Sequence, residues 1–108
     1  MAEAERQKRW RLAHPERVNA MSRRWRAGVR LDVLSHYSGG RPACALCGFS
    51  DTRALDIDHI GGGGRAHRRE INREDLYPWL KSRGCPSGYR VLCRNCNQIV
   101  YIESKEVL

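Results

Sequence analysis

Acidic residues, aromatic residues and long apolar runs are all scarce in this chain, and each shortage removes a class of explanation. Asp and Glu number 12 against 20 Lys and Arg over 108 residues, for a formal net charge of +8 and a pI near 9.8. Such a surplus argues against a cationic partner and favours a polyanion. No stretch approaches the roughly 18 apolar residues that a membrane span requires, so no transmembrane segment is expected. Met1 to Arg11 is strongly polar and unlike the charged-then-apolar opening of a secretory signal. The expectation is a soluble protein of the cytoplasm. With one Phe, three Trp and an apolar fraction of 41% thinned by a highly charged first third, the core is marginal without a staple.

Disulfides are a poor choice for that staple. Five cysteines cannot all pair, and four of them fall into two Cys-x-x-Cys pairs, Cys44/Cys47 and Cys93/Cys96, with Cys85 left over as a small buried or half-buried thiol. In a reduced chain this spacing is that of a tetrahedral zinc set, and a structural zinc contributes about 10–16 kcal/mol to folding. The first pair lies in Cys44-Ala45-Leu46-Cys47-Gly48, the outline of a tight knuckle. The second opens a helix, which is the arrangement of a treble-clef finger.

The positive charge is concentrated near the N-terminus, where residues 1–30 hold nine Arg or Lys against three Glu. Their apolar residues Trp10, Leu12, Val18, Met21 and Trp25 are interrupted by charges, so nucleic acid is favoured over a membrane surface. Ala2 to Ala13 are good helix formers, and Pro15 fits the start of a second helix running towards Tyr37. Arg9-Trp10-Arg11 is echoed fifteen residues on by Arg23-Arg24-Trp25-Arg26, close to four turns, so an unbroken helix would put both tryptophans on one face. Pro15 interrupts that continuity. Either the tryptophans of a solvated basic helix pack on the body or on each other, or the segment is an arm along phosphates. The dominance of Arg over Lys favours the arm, with Arg9, Trp10, Arg11, Arg23, Arg24 and Arg26 as its contacts. Gly39-Gly40 and Pro42 mark the one boundary, separating a basic helical extension, 1–38, from a small α+β domain, 39–108. Leu31, Val33, Leu34 and Tyr37 have helical spacing and are expected to pack on that domain.

Within the domain, Ala54-Leu55-Asp56-Ile57-Asp58-His59-Ile60 alternates as a half-buried strand, with Leu55, Ile57 and His59 on one face and Asp56, Asp58 and Ile60 on the other. Asp58 and His59 therefore diverge unless the strand ends or twists there. Gly61 to Gly64 are expected to form a flexible loop, followed by the basic run Arg65-Ala66-His67-Arg68-Arg69. Asn72-Arg73-Glu74-Asp75 reads as the cap of a short helix holding Leu76, Trp79 and Leu80 inward. Cys85 to Gly88 turn the chain into a strand, Tyr89 to Leu92, and the final helix carries Cys96, Asn97, Val100 and Tyr101.

If the two strands close as a hairpin, Asp58, His59 and Asn97 meet in one cleft beside the zinc. A carboxylate from Asp58 and an amide oxygen from Asn97 are hard ligands suited to Mg²⁺ or Mn²⁺. Neutral His59 can take a proton from an attacking water. These are the parts of phosphodiester hydrolysis. Asp56 reads as a hydrogen-bonded structural carboxylate, and His14 and His36 as helix or packing residues. His67 is either a solvent-exposed loop histidine or a phosphate contact and leaving-group acid beside Arg65, Arg68 and Arg69.

Cys44-x-x-Cys47-Gly48, Leu55-Asp56-Ile57-Asp58-His59-Ile60-Gly61-Gly62-Gly63 and Gly88-Tyr89-Arg90-Val91-Leu92-Cys93-Arg94-Asn95-Cys96-Asn97 together resemble the zinc-bearing branch of the HNH endonucleases. The resemblance covers about Tyr37 to Lys105, and the chain is especially similar to phage-borne members, which often carry a basic helical extension. It implies a ββα-metal, treble-clef-like core stapled by one zinc, with Cys44, Cys47, Cys93 and Cys96 on that zinc. It also implies metal-dependent cleavage of DNA, with His59 as general base and Asp58 and Asn97 on a catalytic Mg²⁺ or Mn²⁺. Asn97 stands where the family's last His is usual, an HNN form. The middle Asn that orients the general base is not at its expected place, leaving Ser87, Asn72 or a backbone carbonyl for that task. A non-catalytic zinc module that binds DNA is the alternative. The resemblance is compatible with a monomer or weak dimer in the cytoplasm, that of the host cell if phage-encoded. Phage or host replication or packaging proteins are possible partners.

Overall fold

The computed structural model of the chain describes residues 2–71 and 75–105. Helix α1, Glu3–Ala13, places Glu3 and Glu5 in its first turn and Arg11 in its last, matching the helix dipole, and buries none of its residues. His14 breaks the run at φ −132° and ψ 58°, and Pro15 then opens α2, Pro15–Ser38, where its missing N–H costs nothing. The two tryptophans thus belong to separate helices. Trp10 stacks on His14 with ring centroids 4.8 Å apart, while Trp25 stays exposed.

Helix α2 has two halves. Up to Gly28 it is largely solvated; from Val29 it enters the core, burying Val29, Val33 and Leu34. Leu31 departs from the expectation and is 49% exposed. It lies two residues, roughly 200° around the helix, from both Val29 and Val33, so it faces away from the surface they cover. Gly39, in the left-handed region at φ 73°, ends the helix by donating its N–H to the His36 carbonyl.

After the cap, Cys44 N–H donates to the Phe49 carbonyl and Gly48 N–H to the Cys44 carbonyl, closing the knuckle. Ala45 N–H donates to the Val91 carbonyl at 2.9 Å and ties the knuckle to the sheet. A short 3-10 turn, Thr52–Ala54, feeds strand β1, Leu55–His59, which pairs antiparallel with β2, Tyr89–Cys93. The register sets Leu55 opposite Cys93, Ile57 opposite Val91, Asp58 opposite Arg90 and His59 opposite Tyr89. Leu55 and Ile57 are buried and Asp56 and Asp58 are not, as the alternation predicts.

Between the strands lie α3, Gly64–Glu70, and α4, Leu76–Ser82; α5, Arg94–Lys105, follows β2 without a break. Helix α3 replaces the latter part of the expected flexible loop. Gly61, Gly62 and Gly63 all take positive φ, at 82°, 85° and 90°, a run that side chains would strain, and they turn the chain tightly enough for a helix to start at Gly64. Asp75 caps α4 through its carboxylate, which accepts from Tyr77 N–H; the Asn72-Arg73-Glu74 part of the expected cap lies outside the described residues.

The core joins the second half of α2, both strands and α4, with Leu34, Leu55, Leu80 and Leu92 fully buried and Trp79 and Tyr37 packed around them. Each such leucine contributes roughly 1.5–3 kcal/mol, an upper range, and few side chains share that burial. Polar links supplement it. The Arg30 guanidinium donates to the carbonyls of Thr52 and Leu55 and lies 5.6 Å from the Tyr77 ring, while Tyr77 hydroxyl donates to Asp56 at 3.2 Å. The architecture is a small α+β fold with a two-stranded sheet. Among the described residues no helix is long and apolar enough to cross a membrane.

Candidate metal centre and adjoining cleft

Knuckle and helix bring the two cysteine pairs together. Cys44 is buried beside the sheet, Cys93 ends β2, and Cys96 sits in the first turn of α5. The four sulfurs all lie within 4.8 Å of one another, and Cys47 Sγ is 3.7 Å from Cys93 Sγ. Zinc about 2.3 Å from each sulfur of a tetrahedron sets neighbouring sulfurs roughly 3.8 Å apart, so the set fits such an ion. The thiols are unequal. Burial raises Cys44, but hydrogen bonds at the backbone of Cys93, Cys47 and Leu46 outweigh it and bring the group down to about 6. Cys96 is pushed up to about 12 by hydrogen bonding with Cys93 and Cys47. A crowded set of this kind yields its first thiolate readily and resists the rest, and a bound cation removes that resistance. Cys96 N–H points to Cys93 Sγ at 3.4 Å, as a backbone donor to a metal-bound sulfur would. Cys85 stands apart, half-buried against the aromatic side of the core.

One residue beyond Cys96, Asn97 faces a cleft of about 820 Å³. Asp58 and His59 line the same cleft from the end of β1, so the three expected residues do converge. Both strand residues are still paired within the ladder, Asp58 with Arg90 and His59 with Tyr89, and His59 is the last residue of β1. Arg65 and Arg68 contribute from α3, Arg90 from β2, and Tyr101 and Lys105 from α5. The α5 contribution was readable, since positions 97, 101 and 105 repeat at helical spacing.

Asp58 is not free. Arg90, directly opposite in the register, donates to it at 3.0 Å, with the two side chains 29% and 16% exposed, Arg90 first. Asp56 accepts from Tyr77 and lies 4.0 Å from Arg94, consistent with a structural carboxylate.

His59 is held among aromatic rings. Its Nε2 is 2.8 Å from Nδ1 of His67, and its ring meets Tyr89 with centroids 4.9 Å apart. Trp79 closes the far side of His67 at 4.4 Å. Burial, then the proximity of His67, lowers the pKa of His59, so it is neutral at pH 7. Gly64 backs the other nitrogen: a Cβ there would lie 3.1 Å from His59 Nδ1. His67 is therefore not an exposed loop residue, because α3 turns it inward, half-buried against His59. Sequence reasoning missed this pairing, for which the only signal is a histidine eight residues past His59 across a glycine turn. Ser87 is exposed and has no hydrogen bond to His59, and Asn72 lies outside the described residues.

The other expected nucleic-acid contacts fall into two groups. Arg69 is exposed on α3 and does not line the cleft. Arg9, Trp10, Arg11, Arg23, Arg24 and Arg26 are all exposed on α1 and the solvated half of α2, away from the cleft lining. Comparison of the chain with protein families, with curated proteins and with solved structures finds no significant match.

Proposed function

We propose that the protein is a metal-dependent endonuclease that hydrolyses phosphodiester bonds of DNA by a one-metal HNH mechanism, on a treble-clef-like ββα-metal core stapled by zinc. The observation that carries this reading is the convergence of Asp58, His59 and Asn97 on one cleft next to the four-cysteine cluster. Asp58 and Asn97 would hold a Mg²⁺ or Mn²⁺ ion, which supplies Lewis-acid stabilisation of charge on the phosphate. His59, kept neutral by burial, takes the proton of the attacking water. Arg65 and Arg68 supply positive charge along the cleft, and the arginines of the N-terminal arm extend the phosphate-binding surface. Arg90, 3.0 Å from Asp58, holds that residue's carboxylate in the cleft, and the carboxylate would have to be shared with the cation.

Purified protein incubated with supercoiled plasmid in Mg²⁺ or Mn²⁺, with an EDTA control, tests the reading. Metal-dependent nicking is expected, and His59→Ala should lower its rate by on the order of 10²–10⁴ while zinc content and fold persist. Equal cleavage by the variant would reject His59 as the base. The Asp58–Arg90 ion pair favours a second reading, a non-catalytic zinc module that binds DNA, since it occupies the carboxylate on which the first depends. Plasmid that is bound but never cut under any divalent metal would select it.

A further inference from the structure

We infer that His67 is the positioning residue of the site, fixing His59 in the tautomer whose Nδ1 lone pair is open to take a proton; the inference rests on the nuclease reading only for its catalytic consequence. The contact itself is direct: His59 Nε2 and His67 Nδ1 are 2.8 Å apart, so one of the two nitrogens must carry the shared hydrogen. If His67 donates, His59 is protonated on Nδ1 and has no lone pair left for a water. If His59 donates from Nε2, its Nδ1 is unprotonated and His67 carries its own proton on Nε2.

The surroundings of His67 select the second arrangement. His67 Nε2 is buried and has no hydrogen-bond partner among the described residues. The aromatic neighbours of its ring are Trp79, at 4.4 Å and 75°, and Tyr89, at 6.0 Å. Aromatic faces are electron-rich; they accept an N–H and repel a lone pair. In an enclosure of electron-rich rings we assign the proton to His67 Nε2 in place of a bare lone pair, which leaves Nδ1 as the acceptor for His59. The His59 ring cannot readily swing to another partner, because Tyr89 meets it edge to face at 4.9 Å and Gly64 backs Nδ1. His67 in this way fills the orienting role for which the sequence offers no Asn before β2.

The full chain loaded with zinc and labelled with ¹⁵N in histidine tests this without activity. Two-bond nitrogen–proton correlations of the His59 ring should show Nε2 protonated and Nδ1 bare. In His67→Ala they should shift to mixed tautomers. In His67→Asn, whose amide oxygen stands near the position of the missing Nδ1, the wild-type pattern should return. In plasmid cleavage, His67→Ala should lower kcat by on the order of 10² with KM little changed, and His67→Asn should recover most of that loss. A His59 ring protonated on Nδ1 in the wild-type chain overturns the inference even if the variants do not fold. So does a His67→Ala chain that keeps both the ring pattern and kcat. A wild-type chain that shows the expected pattern yet cuts nothing leaves the positioning contact standing and rejects the nuclease reading instead.

Discussion

Arg90 closes its ion pair with Asp58 across two directly opposed strand positions, so the carboxylate expected to hold a metal already has a cationic partner. The pair follows from the register, which the sequence leaves open: with Leu55 opposite Cys93, residue 90 falls opposite residue 58. The His59–His67 contact was not legible either, since it depends on three glycines folding back at positive φ, and a glycine run reads as freedom rather than as a fixed turn. Gly64 gives the sharpest residue-scale prediction. Replacing it by Ala favours the helix through backbone propensity but sets a methyl group 3.1 Å from His59 Nδ1. With Tyr89 and His67 fixing the ring on its other sides, the imidazole has little room to give. Gly64→Ala should keep or slightly raise the melting temperature while lowering cleavage at least about 10-fold, a step in proton transfer being sensitive to such misplacement. A variant that cuts at the wild-type rate would mean that Nδ1 does not meet the water.

Helix α2 is the element that joins the two parts of the molecule. Its core half was legible in the apolar spacing of Val33, Leu34 and Tyr37. Its solvated half was legible in the charge run. The point of changeover was not, because Val29 and Arg30 look like the end of the basic stretch and instead pack and hydrogen-bond into the body. Removal of residues 2–25 therefore spares the buried side chains of the core. We expect that deletion to leave the melting temperature within a few degrees and to weaken DNA binding alike for all sequences. It should also flatten the dependence of log K on log salt, by up to about 0.9 for each phosphate that the arm neutralises. An unchanged salt slope in a binding titration would assign these helices to packing or self-association. The same reasoning explains why α3 escaped the sequence: its seven residues bury none of their number, so no apolar period announces it.

At the scale of the whole molecule, the cysteine cluster links the knuckle, the end of β2 and the start of α5. The buried leucines are few, and a structural metal contributes about 10–16 kcal/mol, so the body should depend on it. Prolonged chelation at neutral pH, or Cys96→Ser, is expected to abolish the cooperative melt followed by circular dichroism, with one zinc per chain recovered from the native protein. Retention of the melt in metal-free protein would show that the apolar core suffices. The cluster was the most legible feature of the sequence because spacing alone encodes it, whereas the cleft beside it needs three separate segments in register.

Cys96 and Asn97 are consecutive residues of one helix turn, and this adjacency makes the staple and the cleft a single mechanical part. On the proposed reading, a newly synthesised chain has no finished catalytic surface; it gains one when four sulfurs close around an ion. Metal loading is then the maturation step, and a cell poor in zinc would accumulate an inert nuclease precursor rather than an active, poorly folded enzyme.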